Sequence, residues 1–172
     1  MQARLWAIFI LDTSCIVTLD GLDRPPSASL SYADDERDQI WTGLEDLCRN
    51  QRLKIIKQVK EELSRWDPGA LERFKRIPFH RMPRVNNDLR IRYQRLVAAY
   101  PNLIPRDPSH DPADPWIVVS AQQYAMTVIT DELPRSVRRG RVRRGPPIPD
   151  LCDEVGVPWT SLRELSRAQG WI

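Results

Sequence analysis

Seven consecutive apolar residues, Leu5 to Leu11, run without alternation into Asp12-Thr13-Ser14. A run that short and that uniformly apolar predicts a strand covered on both faces, as in the middle of a parallel α/β sheet. Asp12 then stands where the strand ends, and in open α/β sheets the ligand crevice lies outside the carboxyl ends of the strands. The alternative role for Asp12 or Thr13 is to cap the helix that Cys15 begins. The pattern recurs at Thr127-Val128-Ile129-Thr130, a second buried strand that ends in Asp131-Glu132.

Between these strands the spacing changes. From Tyr32 to Asn50 the apolar positions Ile40, Trp41, Leu44, Leu47 and Cys48 follow a helical period, and Asp34, Asp35 and Glu36 gather where the helix dipole favours acids. Leu53 to Gln58 is too brief for a stable helix and reads as a strand, leading into a helix over Val59 to Trp66 that Asp67-Pro68-Gly69 stops. Glu61 and Glu62 therefore sit on the first turns of a helix leaving a strand's carboxyl end. One of them can face the crevice, the alternative being that both are solvated.

Residues 70–100 predict two further helices broken by Pro78 and Pro83, a lid or helical insertion. Pro101 to Pro115 reads as loop. Asp114 before Pro115 makes a helix start, so a plain N-cap is its other reading, and that helix ends near Tyr124. A short helix from Asp150, an edge strand over Gly156 to Trp159 and a helix to Gln169 complete the chain.

At 172 residues the chain predicts one domain with a real core. No stretch approaches the roughly 18 apolar residues a membrane span needs. The N-terminal run has no small-residue cleavage site before Asp12, which argues against a signal peptide and for a cytoplasmic protein without membrane partners. Cys15, Cys48 and Cys152 lack paired metal-ligand spacing and are expected as buried thiols.

The net charge of +3 conceals an asymmetry. Arg135, Arg138, Arg139, Arg141, Arg143 and Arg144 fall within eleven residues that hold no acid, leaving twenty basic against 23 acidic residues elsewhere. A glycine-punctuated arginine loop suits phosphate contacts, because the guanidinium fork matches phosphate oxygens. A solvated loop with no ligand is the alternative.

Four times a carboxylate stands at a strand's carboxyl end or on the helix turn after it: Asp12, Glu61 or Glu62, Asp114, and Asp131 or Glu132. Converging carboxylates repel unless cations share them, and hard oxygen ligands without His or Cys point to Mg²⁺ or Mn²⁺. Beside a basic loop, such a site suits hydrolysis of a phosphodiester.

The strings LDTS after an apolar strand, EEL on an early helix, DPWIVVSA and VITDE together resemble the PIN-domain nucleases, over nearly the whole chain. They are most similar to the PIN-like toxins of type II toxin–antitoxin pairs, which also have a tail similar to IPDLCDEVGVPW. The resemblance implies a three-layer α/β/α sandwich with a central parallel sheet. It also implies metal-dependent cleavage of RNA in single strands or exposed loops, an antitoxin protein as partner, and a homodimer. Its four acids fall on Asp12, Glu62, Asp114 and Glu132. The fourth is usually Asp in that family, which leaves Asp131 as the alternative. Ser14 and Thr130 would hydrogen-bond a carboxylate or a bound water. The rival reading is a non-catalytic PIN-like RNA- or protein-binding module. An aspartyl-nucleophile phosphatase is weaker, because Ser14 stands where a second acid is wanted.

Overall fold

The computed structural model describes residues 7–20, 32–66, 68–77, 80–82, 84–104, 112–137 and 145–172. Among the described residues, five strands form one sheet: β1 (Phe9–Leu11), β2 (Leu53–Ile55), β3 (His80–Arg81), β4 (Thr127–Ile129) and β5 (Trp159–Thr160). Their order is β3-β2-β1-β4-β5 and every neighbouring pair is parallel. Eight α-helices among the described residues connect and cover them: α1 (Thr13–Asp20), α2 (Asp34–Arg49), α3 (Lys57–Trp66), α4 (Pro68–Lys75), α5 (Asn87–Ala99), α6 (Ala113–Tyr124), α7 (Ile148–Val155) and α8 (Leu162–Gln169). The fold is the three-layer α/β/α sandwich with a parallel sheet.

β1 is the middle strand, which accounts for its unbroken apolar run. Ile10 and Leu11 are fully buried, with Phe9 opposite Leu53 on one side and Thr127 on the other. Leu5 and Trp6, the start of that run, lie outside the described residues. From β1 the chain winds outward to β2 and β3, then returns past β1 to β4 and β5. The order of winding therefore reverses between β1 and β4, and the carboxyl ends of two adjacent strands open a crevice there.

α6 lies behind that crevice and packs on β1, β4, α3, α5 and α7. Ile117, Val118, Val119, Ser120 and Ala121 are all buried, as expected for a helix enclosed on most sides. α2 buries the stripe Ile40, Trp41, Leu44, Leu47 and Cys48 predicted from its spacing. α8 is set by a reciprocal cap, in which Ser161 Oγ accepts from Glu164 N at 3.1 Å and Glu164 Oε2 accepts from Ser161 N at 3.2 Å.

Residues 70–100 hold the two expected helical stretches, α4 and α5, and also β3 between them, which extends the sheet beyond β2. A two-residue strand between Pro78 and Pro83 is too short to carry a readable period. The three cysteines are free and buried. No helix among the described residues is long and apolar enough to cross a membrane.

Candidate functional site

Asp12 follows β1 directly, and its N–H donates to Ile129 O at 3.0 Å, fixing the end of β1 against β4. Asp12 is 3% exposed. Oδ2 accepts from Thr130 Oγ1 at 2.9 Å, from Ser14 N at 3.3 Å and from Ser14 Oγ. Ser14 and Thr130 thus hold the carboxylate, and Ser14 Oγ in turn accepts from Asp131 N at 3.0 Å. These hydroxyls tie the loop after β1 to the loop after β4.

Glu62 reaches the same corner from α3. Its Oε2 accepts from Thr13 Oγ1 at 2.6 Å and its Oε1 from Ala113 N at 3.0 Å, so it bridges the start of α1 to the start of α6. Glu61 instead pairs with Lys57 at 2.7 Å on the solvent side of α3. Adjacent helical residues point about 100° apart, and here the two glutamates divide accordingly.

The acids after β4 divide too. Asp131 turns toward α8, where Oδ1 accepts from Leu162 N at 2.9 Å, while its Oδ2 has no hydrogen-bond partner among the described residues. Glu132 faces the crevice and its Oε2 accepts from Ile148 N at 2.9 Å. Asp114 is in the first turn of α6, whose N-cap is Pro112, so the helix starts two residues before the position read from Pro115 and the N-cap reading of Asp114 does not hold. Asp114 and Glu132 line one cavity of about 210 Å³, together with Asn102, Leu103, Gly145, Pro146 and Pro147.

Asp12, Glu62, Asp114 and Glu132 are therefore brought to one end of the sheet, at the reversal of strand order, whereas Glu61 and Asp131 point away. The electrostatics bear the mark of this crowding. Burial, the negative charge of Glu132 and that of Glu62 push the Asp12 carboxyl up to about 7, against the hydrogen bonds from Ser14 and Thr130 that lower it. Asp131 is pushed up to about 6 by burial, opposed by the Leu162 N–H and the Arg163 guanidinium.

The donors are carboxylates and hydroxyls only, a set that suits a hard divalent cation. A cation beside Asp12 would offset both the burial and the neighbouring negative charge that raise its pKa. Among the described residues, however, no three of His, Cys, Asp and Glu are grouped closely enough to hold one ion as they stand.

Of the arginine loop, Arg135 is described: its N–H donates to Asp150 Oδ1 at 3.2 Å and its Nε lies 3.9 Å from Asp150 Oδ2. Arg138, Arg139, Arg141, Arg143 and Arg144 lie outside the described residues. Sequence reasoning missed Thr13, the hydroxyl that holds Glu62. Its place beside Asp12 in an Asp-Thr-Ser string was the available signal. It also missed the backbone donors Ala113 N and Ile148 N, which no side-chain pattern reveals.

Residues 9–172 match the family described as Domain of unknown function (DUF4411). The chain belongs to this family. Its match begins at Phe9, the first residue of β1, and so takes in Asp12, Glu62, Asp114 and Glu132 of this DUF4411 member. No curated protein matches the chain.

Proposed function

We propose that this DUF4411 chain is a divalent-cation-dependent endoribonuclease of the PIN-like kind, a cytoplasmic hydrolase of RNA phosphodiester bonds. The observation that carries the reading is Asp12: a buried carboxylate at the reversal of strand order, raised by its burial first and then by the charges of Glu132 and Glu62, residues 120 and 50 positions away in the chain. A buried carboxylate with further acids beside it is costly and is kept where a cation or a proton resolves the cost.

Asp12, Asp114 and Glu132 are the residues that would hold Mg²⁺ or Mn²⁺. A bound ion of this kind lowers the pKa of water and neutralises charge on a phosphoryl group. Ser14 and Thr130 orient Asp12 by fixing Oδ2, which leaves Oδ1 outside that set of hydrogen bonds. Glu62, with both oxygens engaged, positions the starts of α1 and α6, and with them Asp12 and Asp114. The remaining loop arginines suit backbone phosphates. A toxin role with an antitoxin partner, and a homodimer, rest on the resemblance of the motifs alone.

A second reading has two observations behind it. Glu62 is fully engaged by protein donors and, among the described residues, no three acids group for one ion, as in a non-catalytic RNA- or protein-binding module. Cleavage of labelled single-stranded RNA in Mn²⁺ or Mg²⁺, against EDTA and against Asp12→Asn, separates the two. Metal-dependent cleavage that Asp12→Asn reduces at least ~100-fold is expected of a nuclease. Equal cleavage by the variant, or none by the wild type with both ions, leaves the binding module.

A further inference from the structure

The body of the chain outside the arginine loop is not evenly acidic. Of the residues from Arg73 to Ala99, eight are Lys or Arg and only Asp88 is acidic. Some of these cations are engaged within the protein: Arg73 with Asp38 at 3.0 Å, Lys75 with Glu72 at 2.6 Å, and Arg92 Nη1 with Gln122 Oε1 at 2.9 Å. Arg76, Arg84, Arg90 and Arg95 are exposed, and among the described residues their guanidinium groups meet no carboxylate. Cations on one helix and the chain before it, not neutralised by those residues, make a field that attracts a polyanion.

The direction of α5 gives that field a destination. Arg92 bonds Gln122, and Gln123 Nε2 donates to Asn86 Oδ1 at 3.3 Å, so the amino end of α5 lies beside the carboxyl end of α6. At its other end α5 passes into the single 3₁₀ turn Pro101–Leu103, and Asn102 and Leu103 line the cavity with Asp114 and Glu132. α5 therefore runs antiparallel to α6 and leads to the acids. Only Leu89 and Leu96 of α5 are buried, which leaves a broad outer flank. On and beside that flank Ile91 and Val85 are 44% and 43% exposed, apolar surface standing among the arginines as unpaired bases would require. The cavity at the end of this path has a volume of about 210 Å³.

We propose that the outer flank of α5, from Arg84 through Arg90 and Arg95 to Asn102, is a rail for the sugar-phosphate backbone of a single-stranded nucleic acid that delivers the strand to the Asp114–Glu132 cavity. What happens to the strand in the cavity rests on the nuclease reading, whereas binding along the rail does not. Phosphate contacts of this kind position a strand without reading its sequence.

The test is fluorescence anisotropy of a labelled oligouridine of about twelve nucleotides in EDTA, from roughly 50 to 200 mM KCl, with wild type and the Arg84→Gln/Arg90→Gln/Arg95→Gln variant. On a single strand each phosphate that the protein neutralises adds about 0.7 to the log–log salt slope, so the triple variant should bind with a slope flatter by about 2 units. Thermal unfolding checks that the variant folds, and Arg95→Glu alone serves where it does not, with weaker binding and a flatter slope expected. An unchanged affinity and slope overturns the rail. So does a labelled oligoglutamate peptide that binds the wild type more tightly than the RNA and no longer binds the variant, which would make the flank a dock for an acidic protein. RNA cleavage assayed in Mn²⁺ keeps the two readings apart. A flattened slope without any cleavage sustains the rail and sinks the nuclease, and cleavage with an unchanged slope does the reverse.

Discussion

Thr130 Oγ1 donates to Asp12 Oδ2 at 2.9 Å across 118 residues of sequence and accepts from Glu132 N at 3.2 Å, so one hydroxyl ties the Asp12 carboxylate to the backbone of Glu132. Thr130 is fully buried, and Thr130→Val preserves its shape while deleting these bonds. The variant leaves Glu132 N–H without its acceptor and Asp12 with Ser14 alone. A loss of about 1–3 kcal/mol in urea unfolding is expected, the cost of unsatisfied buried groups. Calorimetric titration should also show weaker Mn²⁺ binding. Stability within ~0.5 kcal/mol of wild type, the range of an inconsequential substitution, together with an unaltered Mn²⁺ titration would sink this role for Thr130.

The raised carboxyls make stability depend on pH with a defined sign. Asp12 titrates at about 7 and Asp131 at about 6 in the folded protein, against 3.8 as the ordinary value. The folded state therefore holds protons that the unfolded chain has released. Their contribution is fully present below about pH 4, falls as pH rises, and is lost above about pH 6 for Asp131 and about pH 7 for Asp12, at most ~1.4 kcal/mol per pH unit for each group. Other acids titrate as well, so the measurement is the difference in urea stability between wild type and Asp12→Asn/Asp131→Asn, in EDTA, from about pH 4.5 to 8. The wild type should lose ground to the variant across this range. Stabilisation by Mn²⁺ should grow over the same interval, because the ion competes with the Asp12 proton. A difference that is flat with pH would contradict both shifts.

Much of the site was legible because Asp12 and Glu132 each follow a buried apolar run, and a buried central strand shows itself without alternation. The end of such a strand is also the place where a parallel sheet puts its ligands. Choosing between neighbours was harder. Asp131 and Glu132 differ by which loop they brace, Asp131 serving Leu162 N and Glu132 serving Ile148 N, and those partners are backbone groups that carry no side-chain signature. β3 and the α6 start at Ala113 escaped for a related reason: two strand residues and one helical turn give too little periodicity to read. The basic run of α5 was in the sequence, but its meaning depends on α5 lying antiparallel to α6, which only tertiary packing fixes.

Glu61 and Glu62 provide a paired test of the crevice. Glu61 and Lys57 form an exposed i,i+4 pair, worth about 0.3–0.5 kcal/mol, so Glu61→Gln should change stability by no more than that and leave RNA cleavage intact. Glu62→Gln keeps one oxygen for either Thr13 or Ala113 N but puts an amide group in place of the other acceptor. A loss of about 1–2 kcal/mol and a larger fall in cleavage than for Glu61→Gln are expected. Steady-state cleavage and urea unfolding of the two variants side by side decide the matter, and a greater effect at Glu61 would reverse the assignment.

Gly43 sits in the middle of α2, where alanine would ordinarily be favoured by about 1 kcal/mol. Here the indole of Trp171 lies directly over it. A Cβ at this position would fall inside the van der Waals envelope of Trp171 Cε2, Cδ2 and Cζ2, the farthest of the three only 2.6 Å away. The ring itself must move, since these are its central carbons and not the far end of a flexible chain. Trp171 packs against the core, so its displacement costs dispersion attraction as well as strain. Overpacking of this kind typically costs about 1–3 kcal/mol, more than the helix gains. Gly43→Ala should therefore lower stability in the wild type, yet raise it in a Trp171→Ala background, where the obstruction is gone and helix propensity acts alone. The coupling from a double-mutant cycle of urea unfolding measures the close approach. A Gly43→Ala protein more stable than wild type would show that Trp171 does not rest on α2 in solution.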